Sequence, residues 1–134
     1  MNNSEAKITL AVDAMGSDRG PSEVIAGVSM AVDTSPRGTK FLLFGKEEIL
    51  IKEISKFDNL NGDQVEIRHA SEVVEMDEKP IAGIKGKRDS SMALAIQSVK
   101  DQEAQALLSC GNTGCLMAGS TIRLRTLEGL ERPA

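Results

Sequence analysis

The sequence has no tryptophan, no tyrosine and only 3 phenylalanines. Modules that read single-stranded nucleic acid stack bases on aromatic platforms, and this chain has almost nothing from which to build one. It also has no surplus of positive charge. Lys and Arg total 16 against 20 Asp and Glu, a net charge of −4, so the basic footprint of nucleic-acid binding is missing as well. The two cysteines, Cys110 and Cys115, do not make a disulfide framework and fit a reducing cytoplasm. Together with the only histidine, His69, they fall short of four zinc ligands and lack zinc spacing. Apolar runs are short, as in Phe41-Leu42-Leu43-Phe44, whereas a membrane-spanning helix needs about 20 apolar residues. Residues 1–7 lack the basic and apolar regions of a secretory leader.

What is present is a globular composition. At 134 residues, 40% hydrophobic and 27% charged, the chain has the size of one domain with an aliphatic core. Ile8 to Val12 reads as a buried strand, ended by Asp13, Gly16 and Gly20-Pro21. Ser22 is placed to cap a helix in which Ile25, Val28 and Val32 share a face. Lys40 to Phe44 is a second strand, and Leu50, Ile54 and Phe57 have the spacing of an amphipathic helix. Val65 to Arg68 is a third, weaker strand, and a helix starts near Ser90. Ala106 to Ser109 is a fourth strand, which leads through Gly111 to Gly114 into a last helix carrying Leu116, Met117, Leu124 and Leu127. Alternating strands and helices predict right-handed βαβ units and a mostly parallel sheet covered on both faces, a three-layer αβα fold. In such sheets ligands bind beyond the carboxyl ends of the strands.

Three stretches stand at strand-to-helix or loop-to-helix junctions. Asp13-Ala14-Met15-Gly16-Ser17-Asp18-Arg19-Gly20-Pro21 offers two glycines for close backbone approach and two carboxylates. A plain loop whose Asp residues cap amides is the simpler reading of it on composition alone. Lys85-Gly86-Lys87-Arg88-Asp89-Ser90-Ser91 sets three cations and two hydroxyls at a helix start, where free N–H groups favour anions. A solvated basic loop with a Ser cap is the plainer alternative. Ser109-Cys110-Gly111-Asn112-Thr113-Gly114-Cys115 sets an amide and a hydroxyl beside free backbone donors, suited to phosphate or a carbonyl oxyanion. A tight turn with an Asn cap is its alternative. Neither a dinucleotide fingerprint nor a Walker loop occurs. Cys110 adjoins a helix start, but His69 is remote in sequence, so Cys110 reads as a buried or bystander thiol and His69 as a strand-end residue.

Taken in order, these stretches resemble one family. Ala11-Val12-Asp13-Ala14-Met15-Gly16-Ser17-Asp18 with Gly20-Pro21 is similar to the opening motif of the bacterial phosphate acyltransferases of phospholipid synthesis (PlsX). His69-Ala70-Ser71-Glu72-Val73-Val74 with Met76-Asp77-Glu78-Lys79-Pro80 resembles their middle motif, and Lys87-Arg88-Asp89-Ser90-Ser91-Met92 their basic-serine segment. Gly111-Asn112-Thr113-Gly114 with Leu116-Met117-Ala118 looks like their glycine-rich helix start, and Arg132-Pro133-Ala134 the segment after that helix. Ser17 stands where the family usually has glycine, Gly86 interrupts a usually denser basic run, and Cys110 and Cys115 replace small residues.

The resemblance implies an isopropylmalate dehydrogenase-like three-layer fold, with 1–134 a single α/β domain forming the N-terminal part of a longer protein. It implies a cytoplasmic homodimer, peripheral at the membrane in full-length form. The reaction would transfer a long acyl chain from acyl carrier protein to inorganic phosphate, supplying a membrane glycerol-3-phosphate acyltransferase, with no cofactor, no metal and no nucleic acid. Phosphate would itself be the nucleophile, in keeping with the absence of a Ser–His or Cys–His arrangement. On this reading Asn112 and Thr113 are catalytic, and Asp13, Gly16, Asp18, Lys87, Arg88, Ser90, Ser91, Gly111 and Gly114 bind substrate or phosphate. A phosphotransacetylase-like enzyme acting on short acyl-CoA, or an inactive structural or partner-binding fragment, are the rival expectations.

Overall fold

The computed structural model describes residues 7–132. The opening segment Met1 to Ala6, and Pro133-Ala134 of the last motif, lie outside the described residues. Four strands, β1 (Thr9–Asp13), β2 (Lys40–Gly45), β3 (Val65–His69) and β4 (Ala106–Ser109), form one sheet in the order β3-β2-β1-β4. Every pairing is parallel, with Val12 opposite Leu43 on one side and Leu108 on the other. The helices are α1 (Pro21–Thr34), α2 (Glu47–Ile54), α3 (Pro80–Gly86), α4 (Ser91–Lys100) and α5 (Thr113–Leu124), with a short 3₁₀ turn at Asp58–Leu60.

The period-2 alternation of the strands explains the three layers. Val12, Phe41 and Leu43 point to one face, where Ile25, Val28 and Val32 of α1 and Leu50 of α2 cover them. Ala11, Leu42 and Phe44 point to the other, against Ala95 of α4. A further cluster, Ile84, Met92, Ile96 and Cys115, fastens α3 and α5 to α4. Burying a Leu or Ile contributes about 1.5–3 kcal/mol, so these aliphatic layers replace the missing aromatic core. The contact is closest at Gly119, where a methyl group would lie 2.7 Å from Ile84 Cγ1 and 2.8 Å from Ile96 Cδ1.

Four expectations are corrected. Ser22 does not cap α1: Gly20, at φ 80°, is the cap residue and Pro21 opens the helix, because Pro at the first position needs no N–H acceptor. Phe57 lies beyond α2, which ends at Ile54, although its ring still packs on the core. Leu127 lies beyond α5, since Arg125 takes a left-handed φ of 65° and ends the helix. Lys85 is not in a loop; it belongs to the last turn of α3, a helix not expected from the sequence. No helix among the described residues is long and apolar enough to cross a membrane.

Candidate functional site

The Asp13 side chain is the meeting point of three chain segments. It ends β1, is almost wholly buried, and accepts hydrogen bonds from Ser91 Oγ at 2.6 Å and Ser109 Oγ at 2.7 Å. The Met15 amide donates to the same carboxylate at 3.3 Å. A buried carboxylate is tolerable only when so satisfied. Ser109 Oγ in turn accepts from the Gly111 amide at 3.1 Å, so the carboxylate shapes the turn after β4. Gly16 and Gly111 meet backbone to backbone: a methyl group on Gly16 would fall 3.0 Å from Gly111 Cα and 2.5 Å from Asp13 Oδ2. The loops after β1 and β4 therefore close on each other at the carboxyl end of the sheet, where parallel folds place ligands.

Asn112 is the hinge between this cluster and the next. It caps α5, its Oδ1 accepting from the Cys115 amide at 3.0 Å. Its Nδ2 donates to the carbonyls of Glu75, Met76 and Glu78 at 3.0, 3.1 and 2.9 Å. The side chain is thus fully occupied in holding residues 75–78 against the start of α5. Glu78 pairs with Lys87, whose ammonium also donates to the Val73 carbonyl at 2.7 Å. The Glu75 amide, and after it Lys87, hold the Glu78 carboxyl below its ordinary pKa, while Glu78 raises that of Lys87. Beside them the Cys115 thiol is fully buried, and burial pushes its pKa up.

The expected residues are partly gathered. Asp13, Gly16, Ser91 and Gly111 touch directly, and Asn112 and Lys87 are joined through Glu78. Ser90 is buried; its hydroxyl caps α4 by accepting from the Ala93 amide at 3.2 Å. Segment 71–73 closes over the same helix end, with the Ser91 amide donating to the Glu72 carbonyl. Thr113 is exposed at the first position of α5 and Gly114 half-buried at the second. Among the described residues their two amides have no hydrogen-bond acceptor. Asp18 is exposed, and no contact joins it to the cluster. Arg88 lines a different trough, with Lys85, Lys100 and Arg123. His69 ends β3 and accepts the Glu47 amide through Nδ1 at 3.2 Å, a cap for α2.

Two participants were not singled out in the sequence. Ser109 enters only as the strand residue that opens the third stretch, and Glu78 only within the middle motif, neither with a role of its own. Pro80 after Lys79, with Ile81 and Ile84 three apart, was the available signal for α3. Beyond the start of α5, an open apolar groove of about 440 Å³ runs between α3 and α5, lined by Pro80, Ile81, Gly114, Met117, Thr121 and Ile122 among others. Chemically, the arrangement offers free amides and a hydroxyl at a helix start, a rigid carboxylate-stapled floor and an apolar channel alongside.

Comparison with known proteins gives one consistent answer. A family described as "Fatty acid synthesis protein" matches residues 8–134. A protein named phosphate acyltransferase from Legionella pneumophila (strain Corby) is 46% identical over 127 residues, covering 95% of this chain and 37% of the relative. Its namesake from Halorhodospira halophila is 41% identical over 129 residues, covering 96% and 37%. The namesake from Cereibacter sphaeroides (strain ATCC 17025) is 45% identical over 128 residues, covering 96% and 34%. The chain spans about a third of the length of these curated relatives. On the match from residue 8 to residue 134 and these identities, the chain belongs to the fatty acid synthesis protein family, that of the bacterial phosphate acyltransferases (PlsX).

Proposed function

We propose that the whole protein is a phosphate acyltransferase that converts long-chain acyl-[acyl carrier protein] and inorganic phosphate to acyl phosphate for phospholipid synthesis. The observation that carries the reading is the convergence of the β1–α1 and β4–α5 loops, locked by Asp13, on a helix start with two unused amides. The relatives' shared name agrees with it.

In the reaction, a phosphate oxygen attacks the thioester carbonyl. A C–O bond forms, the C–S bond breaks, and the proton shed by phosphate ends on the departing thiol. No protein nucleophile is needed. The task is to hold a polyanion against a carbonyl and to receive the oxyanion. Positioning is worth up to about 7–11 kcal/mol, and one oxyanion donor about 2.7–4 kcal/mol. Acid–base help is smaller, roughly 10²–10⁴-fold. The Thr113 and Gly114 amides and the Thr113 hydroxyl are the anion donors in this reading. Lys87, its charge paired with Glu78 and its ammonium bonded to the Val73 carbonyl, is a positioning residue, holding the segment that Asn112 grips. Asp13, Ser91, Ser109, Gly16 and Gly111 keep the floor rigid, and Ser90 fixes the start of α4. Asn112 is a positioning residue, since its amide is already spent. The whole protein would work as a cytoplasmic homodimer in which 1–134 folds as one domain.

The apolar groove ending at Gly114 favours a long acyl chain over acetate, and so this reading over a phosphotransacetylase acting on short acyl-CoA. The test is acyl-phosphate formation by the full-length protein, with long-chain acyl carrier protein and with acetyl-CoA. Turnover of the first and not the second is expected; the reverse result overturns the assignment.

A further inference from the structure

Four of the chain's 16 basic residues line one trough of about 570 Å³ between α3, α4 and α5, in a chain whose net charge is −4. Lys85 comes from α3, Arg88 from the link to α4, Lys100 from the end of α4 and Arg123 from α5. No carboxylate lines it. Among the described residues the salt bridges engage Lys40, Lys56, Arg68 and Lys87, and none of these four. Arg123 is held in place by donating to Gln97 Oε1 at 2.6 Å. Asp101, next in sequence to Lys100, accepts from the Gln97 amide at 2.9 Å outside the trough. Among these polar side chains Ile122 is the exposed apolar residue of the lining, while Ile84 beneath it is buried in the core.

We infer that this trough docks an acidic helical protein, its carboxylates on the four cations and an apolar side chain on Ile122. Four cations with no salt-bridge partner among the described residues, beside one exposed isoleucine, are what such a helix complements, and charge of this kind steers association. A concave trough suits a helix better than a flat lipid surface. Ile122 also lines the apolar groove that reaches Gly114, eight residues away or about 12 Å along α5. A protein seated here is therefore positioned to pass an attached acyl chain along α5 to its N-terminus. This inference rests on the function proposed above, in which the acyl donor is a carrier protein.

The test uses the full-length protein with Lys85→Glu and Lys100→Glu combined, both exposed and outside the anion site. The KM for long-chain acyl carrier protein should rise at least about tenfold, and the salt dependence of kcat/KM should flatten. The KM for phosphate and the rate with a long-chain acyl-pantetheine, which has no protein surface, should stay within about twofold. An unchanged KM for the carrier protein overturns the inference. So does an equal loss with acyl-pantetheine, which would make the trough a small-molecule site. Loss of binding to phosphatidylglycerol vesicles, with carrier kinetics intact, would assign it to the membrane. If the unmodified protein makes no acyl phosphate, the proposed function fails. Fluorescence anisotropy of labelled acyl carrier protein, with and without the two substitutions, then judges the docking surface by itself.

Discussion

The Asp13 carboxylate and the Ser91 hydroxyl, 78 positions apart in sequence, meet at 2.6 Å in the interior, and Ser109 completes the arrangement from 96 positions away. One side chain thus joins the end of β1, the start of α4 and the end of β4. Asp13→Ala removes the acceptor from two hydroxyls at once. A hydrogen bond to a charged group is worth about 1.5–3 kcal/mol. The full-length protein should lose roughly 2–4 kcal/mol in urea denaturation, the two bonds sharing one carboxylate. Ser109→Ala alone should cost roughly half as much.

Gly16→Ala tests the contact between loops. Its methyl group would press on Asp13 Oδ2 and on the backbone of Gly111, neither of them the end of a flexible chain. Strain of roughly 1–3 kcal/mol is expected, together with a raised KM for phosphate. Gly27→Ala, inside α1 and meeting nothing within 4 Å, should leave the KM unchanged and stabilise by about 0.5–1 kcal/mol.

Asn112 can be divided into its two functions. Asn112→Asp keeps the oxygen that caps α5 and loses the donors to the carbonyls of 75, 76 and 78. Asn112→Ala loses both; an N-cap alone is worth about 0.5–2 kcal/mol. Acyl-phosphate formation should fall at least about tenfold in both variants. Only Asn112→Ala should also lose the cap's share of stability, and hydrogen exchange at the start of α5 would read that difference.

The Glu78–Lys87 pair sets a pH dependence. The folded-state pKa of Glu78 is depressed, first by the Glu75 amide and then by Lys87. Its contribution is therefore present at neutral pH and is lost as pH falls below the ordinary carboxylate range. The pKa of Lys87 is raised, so its contribution is lost as pH climbs above the ordinary lysine range. Both side chains are partly exposed, which keeps the effect modest. Glu78→Gln should flatten the acid limb of a stability-against-pH curve; an unaltered limb would exclude the pair as its source.

β1 and β2 could be read because each is a short apolar run ending at Asp13 or Gly45, and a buried parallel strand needs little else. β3, with Glu66, Arg68 and His69, signals more weakly. Ser90 and Asn112 could be read as caps because capping is local. α3 escaped because it is seven residues long and contains Gly83 and Gly86, which erase its periodicity. The employment of Asn112 escaped for a different reason. Its three acceptors lie 34 to 37 residues upstream, and no local pattern encodes them. Nor does spacing tell that Lys87 would face Glu78 while Arg88, one residue on, turns to Lys100 and Arg123.

The insertion of β4 beside β1, the first strand of the sheet, fixes an order of events during synthesis. β1, β2 and β3 can pair as they leave the ribosome, yet the flank of β1 must wait until residues 106–109 emerge. Through that interval Asp13 lacks its Ser109 partner and Gly16 its neighbour. Until β4 emerges, β1 presents an open strand edge of the kind that invites mispairing and that a chaperone can shield.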